Sequence, residues 1–458
     1  MSKIFLLSSN ITVEPYAVYP LGMAVVASAL KARGHDVCQF DFLAAGRSES
    51  RLWKSLNEFS PDFVGISLRN IDNVDSLTPQ SDWYLPQTKR LVEQIRAETT
   101  VPVIIGGPAF SIMPEDILDF IGADYGIVGE GEHRLCDLIE ALAQGEPVSR
   151  IAKGNGNPLN GTAMASPCWD ANLIRFYVER SGLVNLQTKR GCPHKCNYCS
   201  YPQLEGNRLR VKKPQEAVDE IQQAKEAFGV QTICFTDSVF NDIAGHYLEV
   251  AEELLRRNLN IHWHGFFRPQ GIGSKDLNLL KRSGLSAVEV GTDAPSNTTL
   301  IGLTKSFSFA EVIEFNKACI REEIPAAHFI IFGGPDETME TVREGLDTIQ
   351  KLENCVVFAF SGIRILPGTG LHERAVRDGV VDPDASLLKP VYYFSPEINP
   401  DVMNSTIKTA FHGRRNRVFP PSESFIRIAA MNRFGYRGLL WDKLISFTQA
   451  AERSRPKK

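Results

Sequence analysis

The chain has 458 residues, of which 43% are hydrophobic and 23% charged, and its formal net charge at pH 7 is -4. These values are typical of a soluble globular protein and exclude long disordered tracts, collagen-like repeats and small disulfide-rich scaffolds. The length predicts about three domains, and the small negative charge indicates no overall attraction to nucleic acid or acidic lipid.

The amino terminus carries no segment typical of export or membrane insertion. Its first apolar run is too short for a signal peptide, and the apolar stretch at residues 21–30 is too short to span a bilayer. The nine cysteines of such a chain are expected to be free thiols or metal ligands rather than disulfides. We therefore expect a cytoplasmic protein without a transmembrane segment.

Short apolar runs alternate with helical patterns through residues 1–150, the first predicted domain. The predicted strands are residues 4–8, 37–43, 63–68, 101–105 and 125–128, and the predicted helices are residues 21–31, 87–98 and 135–143. Repeated β-α units predict a doubly wound parallel α/β sheet. Ligands of such sheets bind outside the carboxyl ends of the strands, so the loops at those ends are the expected ligand-binding segments.

Residues 151–181 form the predicted linker, because their first half is rich in Gly, Asn, Pro and Ser. A second β-α series follows over residues 182–395. Its predicted strands are residues 183–188, 232–236, 261–266, 287–291, 326–332 and 357–365. Six strand–helix units predict a partial (β/α)6 barrel, and a second doubly wound sheet is the alternative.

Residues 396–458 are predicted to form a small helical cap and a basic tail. After His412 the chain carries eleven Lys and Arg residues against three acidic ones. A solvated face is the favoured interpretation, and an anionic partner is the alternative. The aromatic residues of this segment also suggest an amphipathic or anionic substrate.

The most informative motif is RGCPHKCNYCSYP, in which Cys192, Cys196 and Cys199 are spaced C-x3-C-x2-C. A structural zinc site takes four ligands, and only His194 lies within the loop as a fourth. An iron–sulfur cube held by three cysteines instead keeps one iron open to a small molecule. The motif follows the first predicted barrel strand, so it lies at the end of the barrel where active sites form.

This motif and the strands after it resemble the radical S-adenosylmethionine (SAM) enzymes over about residues 182–390. The resemblance implies a [4Fe–4S] cluster on the three cysteines, SAM bound to its fourth iron, and cleavage of SAM to a 5′-deoxyadenosyl radical. The SAM contacts that it implies are Tyr198, Asp237, Ser238, Asp293, Ile330, Gly333, Gly334 and Glu337. Relatives usually carry Glu-Ser where this chain has Asp293-Ala294, so the ribose contact departs from the pattern.

The first domain has no G-x-G-x-x-G after its first strand, which argues against a nicotinamide site. Residues 1–145 resemble instead the cobalamin-binding domain that precedes many radical SAM enzymes. The matching residues are Leu21, Gly22, Gly106, Gly107, Pro108, Gly129, Glu130, Gly131 and Glu132. No D-x-H-x-x-G motif is present, so the resemblance implies cobalamin bound without a histidine ligand.

The loop that begins at Arg69-Asn70, or the loop after the first strand, would then face the lower side of cobalt. An empty sheet with a structural or dimerising role is the alternative.

Polar residues also recur at every second position on two barrel strands. His262 and His264 share one face, and Glu289, Gly291 and Asp293 share another. This pattern predicts a polar stripe that faces the barrel lumen. Hydrogen-bonded structural roles are the favoured interpretation for the two histidines, and contacts to substrate or SAM are the alternative.

Together these features predict a cobalamin-dependent radical SAM C-methyltransferase that acts on an unactivated carbon of a small or lipid-like substrate. It would need an external one-electron donor of the flavodoxin or ferredoxin type. The alternative is a B12-dependent radical SAM oxidoreductase or cyclase without methyl transfer. A methylthiotransferase is disfavoured because the first domain lacks the extra cysteines for a second cluster, and a nucleic-acid-binding scaffold because the net charge is negative.

Overall fold

The computed structural model describes residues 1–78, 83–154 and 158–445. Three residues of the predicted linker (155–157) and the predicted basic tail beyond Ile445 lie outside the described residues. The described chain is an α/β protein built on two parallel sheets, one of six strands and one of seven.

The strands are β1 (Lys3–Ser8), β2 (Asp36–Asp41), β3 (Phe63–Ser67), β4 (Val103–Gly106), β5 (Tyr125–Ile127), β6 (Ile151–Ala152), β7 (Val184–Leu186), β8 (Lys189–Arg190), β9 (Arg210–Val211), β10 (Thr232–Phe235), β11 (His262–Phe267), β12 (Leu285–Asp293), β13 (Ala326–Phe332), β14 (Cys355–Ser361), β15 (Ile363–Arg364), β16 (Tyr392–Tyr393) and β17 (Arg417–Val418).

The helices are α1 (Leu21–Ala32), α2 (Glu49–Phe59), α3 (Leu85–Glu98), α4 (Pro108–Ile112), α5 (Pro114–Ile121), α6 (Gly131–Ala143), α7 (Ala171–Ser181), α8 (Tyr201–Glu205), α9 (Pro214–Phe228), α10 (His246–Arg257), α11 (Ser274–Arg282), α12 (Asn297–Gly302), α13 (Phe309–Arg321), α14 (Met339–Ile349), α15 (Gly370–Arg377), α16 (Pro400–Phe411) and α17 (Glu423–Arg433). Two 3-10 turns lie at Gly161–Ala163 and Trp441–Leu444.

The first sheet has the strand order β2-β1-β3-β4-β5-β6, and every neighbouring pair is parallel. The order reverses between β1 and β3, so the crevice of this sheet opens where these two strands end. The stretch predicted as a linker is partly structured, since β6 pairs with β5. Helix α7 also lies in it and is capped by Asp170, whose side chain accepts hydrogen bonds from the N–H groups of Asn172 and Leu173.

The second sheet has the order β7-β10-β11-β12-β13-β14-β17, again wholly parallel. Six of these strands are the predicted ones, and the predicted fold class, an α/β sheet followed by a partial barrel and a helical carboxyl-terminal region, is confirmed. The seventh strand, β17, comes from that last region and pairs with β14 over Arg417 and Val418. A two-residue strand is too short to leave a period-two pattern.

Two hydrophobic clusters hold the molecule together. The larger fills the layers between the sheets and their helices. The smaller lies on the lumen side of the barrel, where Trp441 and Ile445 of the carboxyl-terminal segment pack on Val356, Phe358 and Val418. The end of the described chain therefore covers part of the lumen wall.

Two basic residues of the carboxyl-terminal region, Arg417 and Arg437, donate hydrogen bonds to backbone carbonyl groups. The Arg417 guanidinium donates to the carbonyls of Leu352 (2.5 Å) and Cys355 (3.1 Å). Arg437 donates to Glu179 O at 3.0 Å. Carbonyl groups near helix and strand ends need such donors, and these contacts leave the anionic-partner alternative without support from Arg417 or Arg437.

None of the helices in the described part of the chain is both long enough and apolar enough to cross a membrane.

Candidate functional site

The cysteine loop is anchored at its first residue, Gly191. This glycine has a φ of +88°, and a Cβ atom there would lie 2.1 Å from the Arg208 carbonyl oxygen. Its N–H donates to Glu205 at 3.0 Å, and its carbonyl accepts from the Ser238 hydroxyl at 2.9 Å. Only glycine fits this position, so the loop conformation is built into the backbone.

The three cysteines are free thiols on this anchored loop. Burial raises the pKa of Cys199 to about 11, so metal binding there must displace a proton. Among the described residues, no three His, Cys, Asp or Glu side chains converge on a single metal-ion position. Each cysteine of an iron–sulfur cube binds a different iron, and the donor set of three thiols on one rigid loop fits such a cluster.

Lys305 connects the cysteine loop to β12. Its ammonium group lies 3.1 Å from the Cys196 sulfur and 3.3 Å from the Tyr198 hydroxyl, and it forms an ion pair with Asp293. Asp293 ends β12 with a φ of +64° beside a register shift. The structure therefore brings together Cys196, Tyr198 and Asp293, three of the predicted site residues.

Asp237 is placed differently from its neighbour Ser238. Asp237 has no exposed surface, and it accepts hydrogen bonds from the Thr188 N–H (2.7 Å), the Thr188 hydroxyl (2.6 Å) and the Lys189 N–H (3.2 Å). Its carboxylate therefore fixes the strand that leads into the cysteine loop. Ser238 instead lies beside Gly191 at the loop itself.

The turn after β13 is also held by a buried carboxyl group. The buried Glu337 accepts hydrogen bonds from the N–H groups of Gly333 and Gly334, the latter at 3.1 Å. Burial raises the pKa of Glu337 to about 8, against the lowering effect of these two donors. Glu337 therefore shapes the Gly333-Gly334 turn, and all three residues of this turn are buried.

Ile330, the predicted contact on β13, is fully buried and belongs to the larger hydrophobic cluster. Its neighbour Phe329 packs in the lumen cluster. The Ile330 side chain therefore faces the core, and its contact with SAM stays a prediction.

The predicted cobalamin loops surround the crevice of the first sheet. Gly22 lies at the exposed amino-terminal end of α1, where no side chain caps the helix and a Cβ atom would meet no other atom within 4 Å. Gly107 has a φ of +102°, and a Cβ there would lie 2.5 Å from the Leu68 carbonyl oxygen. Four of the predicted contacts are half-buried, namely Leu21, Gly106, Gly129 and Gly131. Pro108 is exposed. These positions line the edge of the sheet with glycines, which let a large flat cofactor approach the backbone.

Arg69 and Asn70 follow β3 at this crevice and are half-buried. The Arg69 Nη1 atom is buried and has no hydrogen-bond partner within the ranges 1–78, 83–154 and 158–445. Burial lowers the pKa of Arg69, an effect that Tyr177 and Tyr16 partly oppose. An orphaned guanidinium at the expected lower side of the cofactor fits a bound group.

Glu130 and Glu132, two of the predicted cobalamin contacts, form ion pairs with the barrel domain. Glu130 pairs with Arg190 (2.9 Å) and Arg210 (2.7 Å), and Glu132 pairs with Arg190 at 2.6 Å. Burial alone would raise the pKa of Glu130, but the two arginines hold it below its ordinary value. These carboxylates therefore join the first sheet to the segment that enters the cysteine loop.

The predicted polar stripe faces the lumen. His264 is fully buried and lies opposite Cys234 in the register of β10 and β11. The Tyr16 hydroxyl, from the loop after β1, lies 3.6 Å from the Cys234 sulfur. Glu289 accepts a hydrogen bond from the Trp441 indole at 3.3 Å. His262, by contrast, is exposed at the other end of its strand.

Two residues of this site, Lys305 and Tyr16, were missed from the sequence. Lys305 stands in an ordinary GLTKS loop and Tyr16 in a loop before the first helix. Trp441 was expected only as one of the aromatic residues of the carboxyl-terminal segment that suggest a substrate. Each of the three reaches the site by tertiary packing from another part of the chain. The only usable signal was the position of Tyr16 at the carboxyl end of a parallel strand.

Comparison with known proteins identifies two family regions. Residues 9–139 match the B12 binding domain, and residues 186–349 match the Radical SAM superfamily. The two matches correspond to the first sheet and to the barrel, and together they span more than half of the chain.

Characterised relatives share this arrangement. The chain is 27% identical to the tryptophan 2-C-methyltransferase of Streptomyces laurentii, over 80% of this chain and 73% of the relative. It is 25% identical to the anaerobic magnesium-protoporphyrin IX monomethyl ester cyclase of Rubrivivax gelatinosus, over 71% of this chain and 60% of the relative. The structure of the radical SAM methyltransferase TsrM from Kitasatospora setae covers 97% of both chains with a TM-score of 0.83 at 22% identity. That similarity shows a common fold.

Proposed function

Because the chain belongs to the radical SAM enzymes that carry a B12-binding domain, we propose that it is a C-methyltransferase that acts on an unactivated carbon of a small or lipid-like substrate. Its cofactors are a [4Fe–4S] cluster, SAM and cobalamin. The TsrM structure contains cobalamin and a [4Fe–4S] cluster, and several relatives are named as methyltransferases.

The observation that carries this proposal is a contact between the loop after β1 and the barrel. Tyr16 leaves the carboxyl end of β1 and reaches Cys234 in the barrel lumen, 3.6 Å away. Ligand sites of both folds lie at the carboxyl ends of their strands. A substrate in the lumen therefore has the cysteine loop on one side and the crevice of the first sheet on another.

The residues have distinct tasks in this arrangement. Cys192, Cys196 and Cys199 hold the cluster, and Lys305 places a positive charge at Cys196. Tyr198, Ser238, Gly333 and Gly334 line the expected SAM position. Arg69, whose buried Nη1 group has no partner among the described residues, would contact the cobalamin, and the sequence has no D-x-H-x-x-G motif to supply a histidine.

The bound groups supply chemistry that side chains lack. The cluster with SAM provides one-electron chemistry, and cobalamin provides methyl-group chemistry. An unactivated carbon has no useful nucleophilicity, so both are needed next to one another. All nine cysteines are free thiols, which supports a reducing compartment, and we place the enzyme in the cytoplasm with a flavodoxin or ferredoxin as electron donor.

The cofactor set is tested by the absorbance spectrum of anaerobically purified protein supplied with cobalamin. We expect broad iron–sulfur absorption together with a corrin spectrum. Cys196→Ala removes the iron–sulfur part and leaves the corrin, whereas Cys38→Ala, outside the site, retains both. Stoichiometric zinc and no iron in the wild type would contradict the proposal.

Methyl transfer is tested with methyl-deuterated SAM and a small-molecule extract of the source cells. We expect a product that carries the trideuteromethyl label with the wild type and not with Cys196→Ala. An unlabelled product that is oxidised or ring-closed would contradict methyl transfer. That result would favour the second candidate, a B12-dependent oxidoreductase or cyclase, which the similarity to the Rubrivivax gelatinosus cyclase supports.

A further inference from the structure

Glu289 is a carboxyl group without a cationic partner inside the barrel. It has 5% of its surface exposed, and one oxygen accepts the Trp441 indole N–H at 3.3 Å. Burial raises its pKa to about 7, and Trp441 is the one group that opposes this effect among the described residues. A buried carboxylate without a countercharge is costly, so this position favours a ligand that brings a positive charge.

His264 lies beside Glu289 on the neighbouring strand. Glu289 stands opposite Phe266, two residues beyond His264 on the same face. His264 is completely buried, and neither ring nitrogen has a hydrogen-bond partner in the described part of the chain. Burial lowers its pKa to about 3, so the ring is neutral and offers one acceptor and one donor.

Tyr16 closes this group of residues from the first domain. Its ring is perpendicular to that of His264 with centroids 6.4 Å apart, and its hydroxyl is next to Cys234. Phe266 and Trp441 add aromatic walls. The lumen thus contains His264, whose ring nitrogens have no hydrogen-bond partner, and Glu289, which has no cationic partner within the described residues, between aromatic rings.

The lumen that contains Glu289, His264 and Tyr16 is accessible from outside the barrel and lies within reach of the cysteine loop. Phe266 is 39% exposed, so the lumen opens at the carboxyl end of β11. Glu289 and Asp293 share the lumen face of β12, and four residues of strand span about 13 Å. Asp293 belongs to the Lys305 contact at the cysteine loop. A small molecule held at Glu289 can therefore extend toward the cysteine loop.

We propose that Glu289, with His264 and Tyr16, binds a positively charged nitrogen of the substrate, such as a primary ammonium group. The ammonium N–H groups donate to the Glu289 carboxylate and to the acceptor nitrogen of His264, and the aromatic rings contact the attached carbon skeleton. This inference rests on the proposed function, because it specifies the substrate class of the same lumen. It replaces the anionic substrate that the basic carboxyl-terminal segment suggested.

The test compares benzylammonium with benzyl alcohol, a neutral analogue of similar shape. Both are titrated at pH 8 into anaerobic, cluster- and cobalamin-loaded protein, and binding is followed by calorimetry. We expect saturable binding of benzylammonium that weakens about tenfold or more in Glu289→Gln. Benzyl alcohol should bind the two proteins equally. Glu373→Gln, on the exposed face of α15, is the matched control and should behave as wild type.

Three results would overturn the inference: equal affinity for the two probes in the wild type, unchanged benzylammonium affinity in Glu289→Gln, or no saturable binding of benzylammonium. A Glu289→Asp variant keeps the charge and should retain part of the affinity, which separates recognition from a folding defect. The assay requires no methyl transfer. Binding that depends on Glu289 without labelled product would therefore refute the proposed function and leave this inference standing, and labelled product without such binding would do the reverse.

Discussion

Lys305 shows how much one side chain can organise at the residue scale. It contacts Cys196, Tyr198 and Asp293, which lie on two separate segments. A cation next to a cluster thiolate stabilises the more negative, reduced form of a cluster. Lys305 therefore acts as an electrostatic neighbour of the cluster as well as a connector.

Replacing Lys305 by Met should make the cluster harder to reduce, because the positive charge beside Cys196 is lost. We expect the midpoint potential to fall by on the order of tens of millivolts. A redox titration followed by electron paramagnetic resonance measures it. Lys317→Met, on the exposed side of α13, serves as control, and a potential that is unchanged or higher in Lys305→Met would contradict the assigned role.

Glu289 should make stability depend on pH. Its pKa rises from 4.5 to about 7 on folding, so between these values the folded state holds a proton that the unfolded state has lost. The stability contribution of this group therefore falls as pH increases from about 4.5 to about 7, by up to about 3 kcal/mol. Tyr16, Cys234 and His264 face it and stay uncharged in this range.

Urea unfolding of the wild type and Glu289→Gln at pH 5 and pH 8 measures this effect. The Gln variant should lose less stability than the wild type between the two pH values. Other buried carboxyls such as Glu337 titrate equally in both proteins, so the difference isolates Glu289. A parallel pH dependence of the two proteins would disprove the shift.

At the residue scale the sequence predicted which residues belong to the site better than it predicted what each side chain contacts. Motif spacing located the cysteines and the Gly333-Gly334 turn, since both depend on local chemistry. It could not show that Asp237 and Glu337 are buried and accept hydrogen bonds from backbone N–H groups, or that Ile330 is fully buried. These facts depend on which side of a strand packs against helices.

At the scale of elements, the central strands were predictable and the marginal ones were not. The strand β13 (Ala326–Phe332) matches its prediction because it is a continuous apolar run in a buried parallel sheet. Strands β6 and β17 have two residues each and form only because a neighbouring edge is available. Helix α7 was hidden because the residues before it read as a linker.

The contact between the loop after β5 and the barrel depends on buried charges. Replacing Glu130 by Gln would leave Arg190 and Arg210 without their shared carboxylate in a largely buried site. We expect a loss of about 3 kcal/mol or more in the free energy of unfolding, since an uncompensated buried charge is costly. Urea denaturation measures this loss.

The control for Glu130 is Glu140→Gln, which breaks a more exposed pair with Arg33 and should cost about 1 kcal/mol or less. Equal effects of the two substitutions would show that the Glu130 contact is not the buried anchor described above.

At the scale of the whole molecule the two sheets form a single body. Asp72 of the first domain pairs with Arg364 of the barrel at 2.8 Å, with both side chains 3% exposed. The Glu130 contacts and the Tyr16–Cys234 contact cross the same boundary. The sequence predicted two separate units in the correct order, but contacts between distant segments leave no local pattern from which such a joint could be read.

We therefore expect the two domains to unfold together. Separation of the domains would break the ion pairs Asp72–Arg364 and Glu130–Arg190 and leave their charges unpaired. Urea should therefore produce one unfolding transition that is the same by circular dichroism and by tryptophan fluorescence. Two resolved transitions in the wild-type protein would contradict this coupling.

The reach of Tyr16 into the barrel also bears on how such enzymes diversify. A recombination event that exchanges the amino-terminal module would import a new aromatic or polar group into the catalytic chamber without any change in the barrel gene segment. Module shuffling would then alter substrate choice directly. Engineered chimaeras of this architecture should accordingly be designed with the Tyr16 loop inherited from the barrel's parent.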